Sequence, residues 1–204
     1  LPQLESSILL AHGLFADGWA AYRRRPAFLR FSEKLGKDTL AQNLPADITG
    51  KHVLVLREQG IGDELFFLRY LPRLRALGAI VTVRASTKIA ALITRSDCAD
   101  AVISADEQPA APVDLQLLCG DLPYALCPPL SGAIPSVAPG AISCGDFPFR
   151  VSVFFPDLPA TLRIPVLPAA VADIRQRLQQ YGPPPYLGIT WRAGTAARDQ
   201  IGAQ

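Results

Sequence analysis

A chain of 204 residues, half of them hydrophobic and with a formal net charge of +2, can build one sizeable packed domain plus a smaller piece. That composition excludes global disorder, and the scattered Lys and Arg form no basic stripe for nucleic acid. No apolar run reaches the about 20 residues of a membrane-spanning helix, and no targeting segment opens the chain.

From Glu5 to Arg25 the apolar and small residues Ile8, Leu9, Gly13, Phe15, Trp19, Ala20 and Tyr22 recur at helical spacing. Gly13 interrupts the run and Pro26 ends it, so two short helices with a tight turn are predicted. The run Arg23-Arg24-Arg25 reads as cations at a helix end, where they complement the dipole. Phe31 to Lys51 is mixed and polar and reads as a linker. Val53 to Leu56 is all apolar, as in a strand covered on both faces. Glu64 to Leu77 reads as a helix with Leu65, Leu68, Leu71 and Leu74 on one face. Pro72 should kink it near Leu68 and Gly78 should stop it.

Ile80 to Arg84 is the second strand, Thr87 to Thr94 a short helix, and Ala101 to Ser104 and Val113 to Leu118 two more strands. Asp121 to Cys127 reads as a short helix. Pro128 to Pro168 is rich in Pro and Gly, with a strand at Arg150 to Phe155 the one placeable element. Ala169 to Tyr181 is a helix, Pro183 to Pro185 a stiff connector, and Tyr186 to Trp191 a last strand. Strands alternating with helices predict an α/β fold with a Rossmann-like parallel sheet, preceded by a short helical hairpin.

The chemistry is expected at Gln59-Gly60-Ile61-Gly62-Asp63, where the first strand feeds the helix. Open α/β sheets bind ligands at the carboxyl ends of their strands. Glycines there permit positive φ and leave backbone bare to a ligand, and the N–H groups of the helix start favour an anion. A dinucleotide site fits poorly: Leu65 stands where GxGxxG needs its third glycine, and Arg84 ends the second strand where an acid should hold a ribose. No Walker A sequence is present. Asp63 has two readings, a general base towards a hydroxyl or a cap of its own helix. Glu58 and Glu64 read as solvated or salt-bridged. Arg57 suits a phosphate or a pair with Asp63. His52 lies at the far end of the strand, away from the turn. Cys98, Cys119, Cys127 and Cys144 form no CxxC pair and lie far in sequence from His12 and His52, so metal-ligand spacing is absent. Unpaired thiols fit a reducing, cytoplasmic setting.

The segment LLAHGLFADGWAAYRRRP resembles the end of a tetratricopeptide repeat. With REQGIGDELFFLRYLPRLRALGAIVTV, VDLQLLCGDLPYAL and YLGITWRAGT, the chain resembles the tetratricopeptide-linked glycosyltransferases related to the bacterial heptosyltransferases. The resemblance implies a GT-B fold and a division into residues 1–30 as helical hairpin, 31–168 as acceptor domain, and 169–204 as linker helix and first strand of a truncated donor domain. It implies Asp63 as the base, with Arg57, Gln59, Gly60, Ile61 and Gly62 at the acceptor. It places Thr190, Arg192, Gly194 and Thr195 at the phosphates of a nucleotide-sugar donor, with no metal or other cofactor. The acceptor would be a glycan or protein, and the helical repeat could hold a protein partner. Lacking Met and starting at Leu1, the chain reads as a fragment of a longer frame, inactive alone. The alternative is a non-catalytic module that binds a protein or glycan.

Overall fold

The computed structural model describes residues 2–36, 39–41, 43–126 and 159–188. Its contacts divide the chain into two units, residues 1–165 and 166–204.

The first unit opens with helices α1 (Pro2–Ala11) and α2 (Phe15–Tyr22), the predicted hairpin. Gly13 turns the chain at φ +76°, a conformation that costs a residue with a Cβ. The helices approach closely at Gly18, where a Cβ would stand 2.7 Å from Leu10 Cδ2, and Ser6 Oγ donates to Gly18 O at 3.0 Å. The expected linker does not begin at Phe31. Pro26 is instead the first residue of a third helix, α3 (Pro26–Leu35), which occupies the start of the expected linker. A proline ends one helix and starts the next for the same reason: it has no N–H to donate, and a first turn needs none.

Four strands form one parallel sheet: β1 (His52–Leu56), β2 (Ile80–Arg84), β3 (Ala101–Ile103) and β4 (Leu115–Leu118), in the order β3-β2-β1-β4. The fold is therefore α/β and Rossmann-like, with helices before the sheet. β1 pairs on both sides, Val53 with Val81 and with Leu115, and all five of its residues are buried. That is why HVLVL shows no alternation: both faces are covered. Val53, Val55, Val81, Val83 and Leu117 face one apolar cluster, while Leu54, Leu56 and Leu118 face another with Leu40, Phe28 and Phe31.

The stretch after β1 is two helices rather than one kinked helix: α4 (Ile61–Leu68) and α5 (Leu71–Ala76). Pro72 cannot donate to Leu68, so the backbone breaks at Arg69 and Tyr70 and restarts with Pro72 in the first turn. The leucine face survives the break. Leu68, Leu71 and Leu74 are fully buried against the sheet, each contributing about 1.5–3 kcal/mol of burial. Gly78 ends α5 at φ +86°.

Helix α6 spans Ala90–Ser96, a little later than expected. After β4 the backbone makes one 3-10 turn, Cys119–Asp121, and then α7 (Leu122–Leu126). In the second unit α8 runs Pro168–Gln179. Residues 186–188 of the expected last strand are not in a strand. The rest of that strand and the one expected at Arg150 to Phe155 lie outside the described residues. Among the described residues no helix is long and apolar enough to cross a membrane.

Candidate functional site

The loop from β1 to α4 stands at the carboxyl edge of the sheet. Asp63, Gly60, Ile61 and Gly62 are exposed there, as are Arg57 and Gln59. Asp63 is the third residue of α4, and its Oδ2 accepts from the Gly60 N–H at 3.3 Å. It thus reaches back across the first turn as the acidic half of a capping box. That single long bond leaves most of the carboxylate's lone pairs to solvent. The N–H groups of the first turn of α4 lack intrahelical carbonyls and point along the same edge.

The glycines do not serve the positive φ expected of them. Gly60 is extended at φ −91°, and Gly62 lies inside α4. A Cβ on Gly62 would meet nothing within 4 Å, and one on Gly60 would meet only Asp63 Oδ2 at 3.4 Å. Their effect is a bare backbone rim. The left-handed residue is Gln59, at φ +58°. For a residue with a side chain this costs about 1–2 kcal/mol and persists only when neighbours hold it. Gln59 Nε2 donates to the Tyr22 hydroxyl of α2 at 2.6 Å.

The neighbouring Glu58 is buried. Arg25, between α2 and α3, grips it with two donors: Nε to Oε2 at 3.0 Å and Nη2 to Oε1. The Gly120 N–H donates to Oε1 at 2.9 Å, and Arg25 Nη1 donates to Asp121 Oδ1 at 2.8 Å. Arg25 is only 1% exposed, and its guanidinium lies 4.6 Å from the centre of the Tyr22 ring. Burial alone would lower the Arg25 pKa, but Asp121 and Glu58 outweigh it and hold the cation. Burial pushes the Glu58 and Asp121 carboxyls up, against the pull of Arg25. Asp121 Oδ2 is buried without a hydrogen bond. Gly120 must be glycine for space: a Cβ would overlap Glu58 Oε1 and stand 2.9 Å from Arg25 Nη2.

Arg25 is therefore a buried structural cation, where a helix-end charge complementing the dipole was expected. Neither its partner Asp121 nor Gly120, which donates to Glu58, was singled out from the sequence, because nothing local marks residues such as Arg25 and Asp121 that meet across 96 positions. Glu64, expected to be solvated or ion-paired, is 2% exposed and accepts from the Ser86 N–H at 2.9 Å. Among the described residues no ion pair joins Arg57 to Asp63; the Arg57 N–H extends the ladder to Arg84 O at 3.2 Å. Arg84 turns Nη2 to Glu107 O at 2.9 Å, so a cation stands where a dinucleotide site needs an acid. His52 is buried at the opposite end of β1, with Nδ1 2.9 Å from Pro112 O and Nε2 2.7 Å from Thr82 Oγ1. Among the described residues no three His, Cys, Asp or Glu side chains gather to hold a metal. Thr190, Arg192, Gly194 and Thr195 lie outside the described residues.

The chain is similar to protein FlbA of Caulobacter vibrioides, 28% identical over 211 residues. The match covers 92% of this chain but 30% of that relative, so the chain spans less than a third of its length. No family model and no solved structure matches the chain.

Proposed function

We propose that this chain is the acceptor half of a glycosyltransferase that moves a sugar from a nucleotide-sugar donor to a hydroxyl. The observation that carries this reading is Asp63: an exposed carboxylate on a bare glycine turn at the carboxyl edge of a parallel sheet. A base at that place can take the proton of an acceptor hydroxyl as the sugar is transferred. Arg57, Gln59, Gly60, Ile61 and Gly62 would surround the acceptor, a glycan or a protein. In this reading the fold is the amino-terminal half of a GT-B enzyme. Thr190, Arg192, Gly194 and Thr195 would meet the donor phosphates, and the rest of the donor domain would come from sequence beyond Gln204. Such a site stabilises the leaving diphosphate with cations and backbone N–H groups and needs no metal. The buried free thiols of Cys98 and Cys119 suit a reducing, cytoplasmic setting.

The test uses a protein extended past Gln204 and a panel of UDP-, GDP-, ADP- and CMP-sugars, read by nucleotide release. Asp63→Asn should abolish turnover while changing stability by less than about 0.5 kcal/mol, since the amide oxygen still accepts from Gly60. Full turnover in the Asn variant would remove Asp63 from the mechanism.

A second reading, a non-catalytic protein- or glycan-binding module with the helical hairpin as a partner surface, is favoured by one contact. Asp63 already spends an oxygen on its own turn. This reading predicts binding by the isolated chain, and no nucleotide release from the extended protein with any sugar of the panel.

A further inference from the structure

We propose that Tyr22 is a positioning residue: through its hydroxyl, the amino-terminal hairpin sets the conformation of the glycine turn and hence the place of the Asp63 carboxylate. Gln59 is one of two described residues other than glycine with positive φ, and it lies between Glu58 and Gly60. A backbone in that state relaxes unless both of its sides are held. On the amino side, Glu58 is fixed by Arg25 and the Gly120 N–H in a buried cluster. On its own side chain, Gln59 is tied to Tyr22 at 2.6 Å. On the carboxyl side, the turn closes only on itself, Gly60 to Asp63 at 3.3 Å.

Tyr22 is suited to the task because its ring is fixed independently of its hydroxyl. It packs edge-on to Trp19 at 5.7 Å between ring centres, lies 5.8 Å from Phe67 of α4, and carries the Arg25 guanidinium over its face. Phe67 comes one helical turn after Asp63, so the same ring touches the helix that bears the acid and the loop that leads into it. Both residues that reach the turn from the hairpin, Tyr22 and Arg25, come from one end of α2. A partner that displaced this end would therefore move the turn, and the turn would report the state of the hairpin.

For its consequence in transfer the proposal rests on the reading of Asp63 as base; the mechanical coupling stands apart from it. The test is amide hydrogen exchange by NMR on the full 204-residue chain, in Tyr22→Phe, Gln59→Ala and the double variant. Phe keeps the ring and removes only the hydroxyl. Exchange at the Gly60 and Glu64 amides, which donate to Asp63 Oδ2 and to Gly60 O, should rise about fivefold in each single variant, as for one lost hydrogen bond, with β1 and α2 unchanged. The double variant should show no further increase, because one bond is removed twice. Unchanged exchange in Tyr22→Phe, fully additive effects, or a rise spread evenly over the unit would each overturn the proposal. Turnover retained by Asp63→Asn would remove the catalytic reading without altering this exchange result, so the two can fail separately.

Discussion

The rim of the glycine turn and the charged cluster around Arg25 both stand at the carboxyl edge of the sheet, and both carry carboxylates. Asp63 on the rim is exposed, with one long hydrogen bond to its own turn. Glu58 and Asp121 are buried and gripped by a guanidinium. The step from Asp63 to Glu64 repeats the contrast within one helix: a rotation of one residue takes the side chain from solvent to a buried bond with Ser86. Acidity near a ligand-binding edge therefore does not mark a site by itself. A carboxylate buried against a fixed cation holds structure, and one left open to solvent can do chemistry.

The largest effect should come from breaking the cluster. Arg25→Met leaves Glu58 and Asp121 buried without their cation and should cost about 3–5 kcal/mol in urea unfolding. A loss below about 1 kcal/mol would mean that the cluster is open to water and no different from the rim. Next comes Gly120→Ala, whose methyl must push Glu58 or Arg25 aside; about 1–3 kcal/mol is expected, read by thermal unfolding.

The smallest effect concerns Glu64. Burial raises its pKa, against the Ser86 N–H and Arg57. The folded chain then holds that proton more tightly than the unfolded chain. The residue's favourable contribution is full below its unfolded pKa and is lost as pH rises through the folded one. Glu64→Gln keeps an acceptor for Ser86 and has no charge to bury. It should stabilise the fold slightly at pH 7, within about 1 kcal/mol, and the gain should vanish near about pH 3.5. A gain that grew towards acid would have the wrong sign and would mean that the Ser86 N–H and Arg57 outweigh burial at Glu64.

The elements written in local chemistry were legible from the residues. VLVL, at Val53 to Leu56, announces a strand covered on both faces, and IVTVR and LQLL fall within expected strands. Gly13 and Gly78 announce turns because only glycine takes their φ cheaply. The exposed place of Asp63 came from the strand–turn–helix order alone. At Pro72 the missing N–H breaks the helix in two where only a kink was expected, and Pro26, expected to end the hairpin run, also starts α3. What no local pattern showed lies in the residues after Pro26: Phe28 and Phe31 find apolar partners only once the sheet exists.

Sequence by itself determined the parallel α/β order, the glycine turn and the helical hairpin, since each depends on side-chain periodicity or backbone freedom within a few residues. The tertiary structure alone decided which charges are buried. Arg25 meets Glu58 across 33 positions and Asp121 across 96. Whether an ionic side chain is solvated or locked depends on what the folded chain places against it, and no local pattern carries that distance.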